Sequence, residues 1–228
     1  VGTGLQTAAM CSTGDGGSGG GGDYVNYVEN YDGTSWTAGT ATSLARRVAT
    51  GNGTQTSTII IAGNIAPSDT KTGLTEEWNG SSWSSGGTVN TARKGGMAAG
   101  ASQDSSLFFG GTAAPGVSTA TEDYDGTSWA TSPATMGTGV TDNQQGGGAN
   151  VNTAAVVAGG PSAYTQTQEY NKSINTITAS AWSSGVSLNL GRHDGANSGT
   201  QTAGLFAGGK VYPNVFKNES EEYDGTSW

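Results

Sequence analysis

The chain is poor in the residues that build most active centres. It has one cysteine, Cys11, and one histidine, His193. A single cysteine excludes an internal disulfide and a cysteine metal cage. In the run AAMCS, Cys11 reads as a small buried hydrophobe, because a nucleophilic thiol would need a histidine close to it. Charged residues make up only 12% of the chain. Nine Lys plus Arg stand against eighteen Asp plus Glu, a net charge of −9. No basic cluster is longer than the pairs Arg46-Arg47 and Arg93-Lys94. Nucleic-acid binding needs a basic face that neutralises phosphates, so no nucleic-acid partner is expected. No run approaches the ~18 apolar residues of a membrane helix, so no membrane insertion is expected either. No signal peptide is visible, and the sequence does not begin with Met; it is expected to be a mature or excised piece of a longer polypeptide. Helix formation is disfavoured throughout by glycine and β-branched threonine, and no window carries a 3.6-residue period.

What is abundant is glycine, 40 of 228 residues. Such a composition could mean disorder, but the six Trp, eight Tyr and four Phe recur in register. The hexapeptide YDGTSW occurs at Tyr31–Trp36, Tyr124–Trp129 and Tyr223–Trp228. A variant, WNGSSW, lies at Trp78–Trp83, and a stretched form runs from Tyr170-Asn171 to Trp182. The closing tryptophans 36, 83, 129, 182 and 228 are 47, 46, 53 and 46 residues apart. About twenty residues before each lies an apolar run ending in glycine, as in TIIIAGN, SLFFGG, AAVVAGG and AGLFAGG. An acidic lead-in (VEN, TEE, TED, TQE, SEE) precedes each hexapeptide, and an apolar residue followed by arginine comes about ten residues after the Trp in three units. The third unit departs, with Met136 and no arginine.

Each unit reads as four short strands. The first is a small-residue stretch. The second is the apolar run, whose continuous hydrophobicity implies that both faces are covered. The third is the acidic, Tyr-Asp stretch, and the fourth starts at the Trp. Asp-Gly and Asn-Gly between the last two are strong hairpin signals. A four-stranded sheet repeated every ~45 residues is the signature of a β-propeller, because such a sheet buries both faces only against copies of itself.

The residues resemble the kelch repeat family. Gly110-Gly111, Gly159-Gly160 and Gly208-Gly209 match its double glycine, with Gly63-Asn64 and Gly14-Asp15 matching by half. Glu122, Tyr124-Asp125 and Trp129, and again Glu221, Tyr223-Asp224 and Trp228, match its acidic–aromatic signature. The Thr/Gly-rich style also looks like kelch-type repeats of phage tail and virion-surface proteins. The expectation is an all-β fold: one propeller domain over residues 1–228, with five four-stranded kelch-like blades at about 1–47, 48–93, 94–146, 147–192 and 193–228. The last blade is expected to be incomplete, either closing the ring as it stands or belonging to a longer array.

No catalytic constellation is visible, and the chain is expected not to be an enzyme. A kelch-type copper oxidase needs several histidines, and only His193 exists. The sialidase box Ser-x-Asp-x-Gly-x-Thr-Trp has a different spacing from DGTSW. A glycosidase needs two distinct carboxylates in one pocket, whereas these acids recur by unit. The repeated Glu29, Glu76, Glu122 and Glu221 are expected to pair with the repeated arginines between a third strand and the connection into the next unit. An acidic ring holding Ca²⁺ is the alternative, and no cofactor is expected. The unrepeated loops between second and third strands, on the same face as the connections between units, are where binding is expected. The candidate ligand-binding residues there are Tyr24, Tyr27, Arg46, Arg47, Arg93, Lys94, Tyr164, Arg192, His193, Tyr212 and Phe216. The expected function is recognition of a glycan or protein receptor on a virion or cell surface. The alternatives are a structural subunit that binds siblings in a fibre or capsid, and, lower, a polysaccharide hydrolase or lyase.

Overall fold

A computed structural model describes residues 1–17, 23–67, 70–141, 146–148, 151–159, 166–172, 181–212 and 215–228. All regular structure among them is strand. Four four-stranded antiparallel sheets follow one another in a propeller-like arrangement. Sheet 1 comprises Gly2–Leu5, Ala8–Asp15, Tyr24–Tyr31 and Trp36–Ala38. Sheet 2 comprises Thr50–Thr54, Ser57–Ile61, Thr75–Trp78 and Trp83–Ser85. Sheet 3 comprises Met97–Ser102, Ser105–Phe109, Thr121–Tyr124 and Trp129–Thr131. Sheet 4 comprises Gly146–Gly148, Ala154–Ala158, Thr167–Asn171 and Ala181–Ser184. The fifth unit gives a three-stranded sheet, Ala196–Thr200, Ala203–Ala207 and Ser220–Tyr223. The expectation of five four-stranded blades is therefore corrected to four such sheets plus this three-stranded one. Two small ribbons, Asn64–Ile65 with Thr70–Lys71 and Lys210–Val211 with Val215–Phe216, rise from the loops after the second strands.

The core lies between sheets. In a sheet flanked on both sides, the second and third strands present one face to the preceding sheet, the leading face, and the other to the following sheet, the trailing face. Ile59 and Ile61 on the trailing face of sheet 2 pack against Phe108, Tyr124 and Trp129 on the leading face of sheet 3. Leu107 and Phe109 in turn meet Val157 and Tyr170 of sheet 4. Met10 and Val28 meet Trp78 of sheet 2, and Ala158 meets Phe206 of sheet 5. This sandwiching explains why the second strands are apolar on both faces: Ile59, Ile60 and Ile61 are all fully buried. Each such side chain contributes about 1.5–3 kcal/mol by leaving water. The first strands, rich in Gly and Ala, pack on one another in series, which their small side chains permit.

Cys11 departs from expectation. It is exposed, although it holds the same register as the buried Ile60, Phe108 and Val157: each lies opposite the second residue of the acidic lead-in. The difference is that no sheet covers the leading face of sheet 1 among the described residues.

The Asp-Gly turns close the outer hairpins through side-chain acceptors. Asp32 Oδ1 accepts the N–H groups of Thr34 at 2.8 Å and Ser35 at 2.9 Å. Asp125, Asp224 and Asn79 do the same in their own turns. The side-chain hydrogen bond from Thr34, then the two backbone N–H groups, hold Asp32 at about 2, against an ordinary 3.8. Thr226 and its neighbours hold Asp224 at about 2 in the same way. A carboxylate depressed in the folded state stabilises it above the unfolded value, and that stabilisation is lost as pH falls through the folded one. The melting temperature is therefore expected to fall between about pH 4 and pH 2. The double variant Asp32→Asn/Asp224→Asn keeps the acceptor, as Asn79 does. Calorimetry across that range should give a flatter acid limb at unchanged stability near pH 7; an identical limb would exclude these turns as its source.

Candidate recognition face

Three of the four connections between sheets end on two consecutive residues with opposite fates. The first is buried at the junction. Arg46, Arg93 and Arg192 are 0% exposed. Arg46 Nη2 lies 2.5 Å from Glu76 Oε2, Arg93 Nη1 2.7 Å from Glu122 Oε1, and Arg192 Nη2 2.7 Å from Glu221 Oε1. The carboxylates also accept backbone N–H groups of the connections: Ser43 to Glu76 and Asn90 to Glu122 at 2.7 Å, Asn189 to Glu221 at 2.8 Å. Remaining guanidinium donors reach carbonyls, Arg46 to Leu74 and Arg192 to Glu219, both at 2.8 Å. Arg93 lies 4.2 Å over the Phe108 ring and Arg192 5.1 Å over the Phe206 ring. Burial pulls the Arg46 and Arg93 guanidiniums below their usual value, and the facing carboxylates oppose that pull. These three arginines are junction clamps, off the accessible surface, although the sequence places them with the ligand-binding set.

The third-to-fourth junction carries a neutral version of the clamp. Gly14 and Gly63 N–H donate to the carbonyls of Arg46 and Arg93, and Gly111 donates to Val140, so Val140 occupies the arginine position. Opposite it, Gln168 replaces the glutamate. Its Oε1 accepts Thr138 N–H at 3.1 Å and its Nε2 donates to Thr138 O at 2.9 Å. Both charges are absent together, which avoids an uncompensated buried ion.

The second residue of these three connections reaches the loop face. The backbones of Arg47, Lys94 and His193 exchange paired hydrogen bonds with Asn64, Thr112 and Lys210; the strand register aligns Ala62-Gly63, and not Gly63-Asn64, with Gly110-Gly111, so each of these is the first residue after the glycine site. The close crossing requires glycine. A Cβ on Gly111, at φ +89°, would come within 2.7 Å of Lys94 O, and one on Gly209, at φ +98°, within 2.6 Å of His193 O. The connections and the variable loops therefore do share one face, tied strand to strand.

Two clusters form there. In the first, Arg47 Nη1 lies 3.1 Å from Asp15 Oδ2 and its guanidinium carbon 5.1 Å over the Tyr24 ring. Beside it, a depression of about 520 Å³ is lined by Gly16, Asp23, Tyr24, Val25, Tyr27, Ala45 and Ala66. Tyr27 is 71% exposed. In the second cluster, Asp194 Oδ2 accepts from His193 Nδ1 at 3.2 Å and Lys210 Nζ at 3.0 Å. Desolvation works against the Asp194 carboxylate, but the hydrogen bonds from Lys210 and His193 hold it below its usual range. Lys210 lies 5.1 Å over Phe216, and Phe216 and Tyr212 are 79% and 84% exposed. Lys94, on the connection into sheet 3, stands apart from both clusters in sequence, and Tyr164 lies outside the described residues.

The structure thus groups Tyr24, Tyr27 and Arg47 in one place, and His193, Tyr212 and Phe216 in another. Sequence reasoning missed Asp15, which pairs with Arg47, Asp23, which lines the depression, Asp194, which pairs with His193 and Lys210, and Lys210, which lies over Phe216. Their signal was positional: Asp15 and Lys210 hold the first loop residue after the glycines, a place that differs in every unit. The repeated acids do not converge on a cation site. Glu76, Glu122 and Glu221 each serve a separate clamp, and no group of three or more His, Cys, Asp or Glu able to hold a metal occurs among the described residues. No family model matches this chain, and no curated protein matches it.

Proposed function

We propose that the chain is a kelch-like propeller of five repeat units that acts as a non-enzymatic recognition module, binding a glycan of a receptor through its loop face, on a virion or cell surface. The observation that carries the reading is the first cluster. An exposed tyrosine, a second tyrosine under a guanidinium, and the Asp23 carboxylate line one open depression, and that guanidinium is paired with Asp15. Sugars are bound in this way, with C–H faces on aromatic rings and hydroxyls on charged acceptors and donors. The surrounding sheets supply a rigid frame, and the loops supply variable chemistry.

The test is a glycan array followed by calorimetry on any glycan bound. Tyr27→Ala and Arg47→Ala are expected to weaken binding about tenfold or more, in the manner of interface anchor residues, with unchanged melting temperature for Tyr27→Ala. An array with no binder, or a binder indifferent to both substitutions, would overturn the reading.

A further inference from the structure

We infer that the depression beside Tyr24 takes a sugar that carries a free ammonium group and turns anionic sugars away. The inference rests on the glycan reading above and names the class of sugar for that same site. Its basis is which charges there are already paired. Arg47 is the basic side chain of the cluster, and its guanidinium is committed to Asp15 Oδ2 at 3.1 Å and to the Tyr24 ring at 5.1 Å. Gly17 N–H donates to the other Asp15 oxygen at 3.2 Å. Asp23 lines the depression and is exposed, and its carboxylate is in no ion pair among the described residues. Its backbone is held in place, since Gly16 N–H donates to Asp23 O at 2.8 Å. What is left for a ligand is one uncompensated carboxylate and the open ring of Tyr27, 71% exposed.

The depression belongs to the repeat and not to a free edge. In sheet 3, which has connections on both sides, Gly116, Val117 and Ala120 line an open depression of about 470 Å³, walled by Thr91 of the preceding connection and Thr135 of the following one. These three hold the register of Asp23, Tyr24 and Tyr27, because Thr112 pairs with Val117 as Asp15 pairs with Tyr24. Leu74 holds the register of Tyr27 in sheet 2, behind sheet 1, and is 47% exposed. The shape thus recurs, but the chemistry does not. At the position of Asp23 the other described loops carry Thr70, Gly116 and Val215. A residue that the fold requires recurs in phase; a loop residue that stands alone on a rigid frame is free to serve a ligand.

A protonated amine satisfies both groups left open. The carboxylate accepts its charge-assisted hydrogen bonds, and the electron-rich face of the tyrosine attracts its charge. N-acetylation removes that charge. A uronic or sialic acid brings a second carboxylate up to Asp23, into the field of a chain whose net charge is −9.

Calorimetry at about pH 5.5, where a free amine is protonated, tests this with the tetramers of glucosamine, N-acetylglucosamine and galacturonic acid. The glucosamine tetramer should bind about tenfold more tightly than its acetylated counterpart, the combined effect of an exposed ion pair and an exposed cation–π contact. The galacturonate should not bind. Asp23→Asn, at an exposed position, should keep the melting temperature, cost the glucosamine tetramer about threefold to fivefold, and leave the acetylated one unchanged. Raising the salt from about 20 to about 150 mM should weaken glucosamine binding to the unmodified chain. An acetylated or acidic tetramer bound as tightly as the amine, and weakened by Tyr27→Ala, would overturn the amine preference while leaving glycan binding at this face in place. Glucosamine binding indifferent to Asp23→Asn, or no binding of any of these tetramers, would overturn it too. The glycan array decides separately whether the face binds glycans at all.

Discussion

Replacing Arg93 with valine is expected to cost about 3–5 kcal/mol of folding stability, because it leaves the Glu122 carboxylate buried and facing no cation. Glu122 is 1% exposed, and its other oxygen is held by Asn90 N–H at 2.7 Å, so it cannot swing out to water. The decisive comparison is the double variant Arg93→Val/Glu122→Gln. It installs at the second-to-third junction the pair that Val140 and Gln168 already form at the third-to-fourth junction. The double variant should recover most of the loss, although the arginine's stacking on Phe108 at 4.2 Å goes with it. Urea unfolding of the four proteins gives the coupling directly. Additive effects of the two substitutions would mean that the ions do not act as a unit.

Truncating Trp129 to alanine is expected to cost about 3–5 kcal/mol, the range for a buried aromatic. Trp129 is the most enclosed of the hairpin tryptophans whose side chains are described. Its ring stacks on Tyr124 at 4.8 Å and meets Phe108 edge-on at 6.1 Å. Its N–H reaches across to Gly87 O at 3.1 Å. Trp36, in the same sequence context, is half in water, so Trp36→Ala should cost far less. For a domain of this size each kcal/mol shifts the melting temperature by about 2–4 °C, so thermal unfolding separates the two variants easily. Equal shifts would contradict the layered core, in which a tryptophan gains its energy from the preceding sheet and not from its own hairpin.

The repeat made the strand order, the hairpins and the junction pairing readable, because each demands a residue type that recurs in phase. DGTS needs an acceptor at its first position and glycine at its second. The apolar runs need both faces covered. Arg and Glu recur at matching offsets because each requires the other. The exceptions were harder to read. Val140 and Gln168 look like separate irregularities in the sequence, and only their shared junction makes them one substitution of a charged pair by a neutral one. Cys11 looked buried because its neighbours are small and apolar, but burial depends on whether a sheet lies against it, which local sequence does not encode. The candidate binding residues divided along a line that composition cannot reveal. Arg46 and Arg47 are adjacent and identical in type, yet one is sealed in a junction and the other sits on a loop face.

That division is the centre of the account, and guanidinium NMR on ¹⁵N-labelled protein tests it most directly. The chain has four arginines. Arg46, Arg93 and Arg192 should give resolved Nη–H signals with slow exchange and hindered rotation near neutral pH, each showing cross-peaks to the carboxylate of its own glutamate, while Arg47 exchanges rapidly with water. Four guanidiniums that exchange alike would contradict the clamped junctions, and with them the mutual shielding of the sheets.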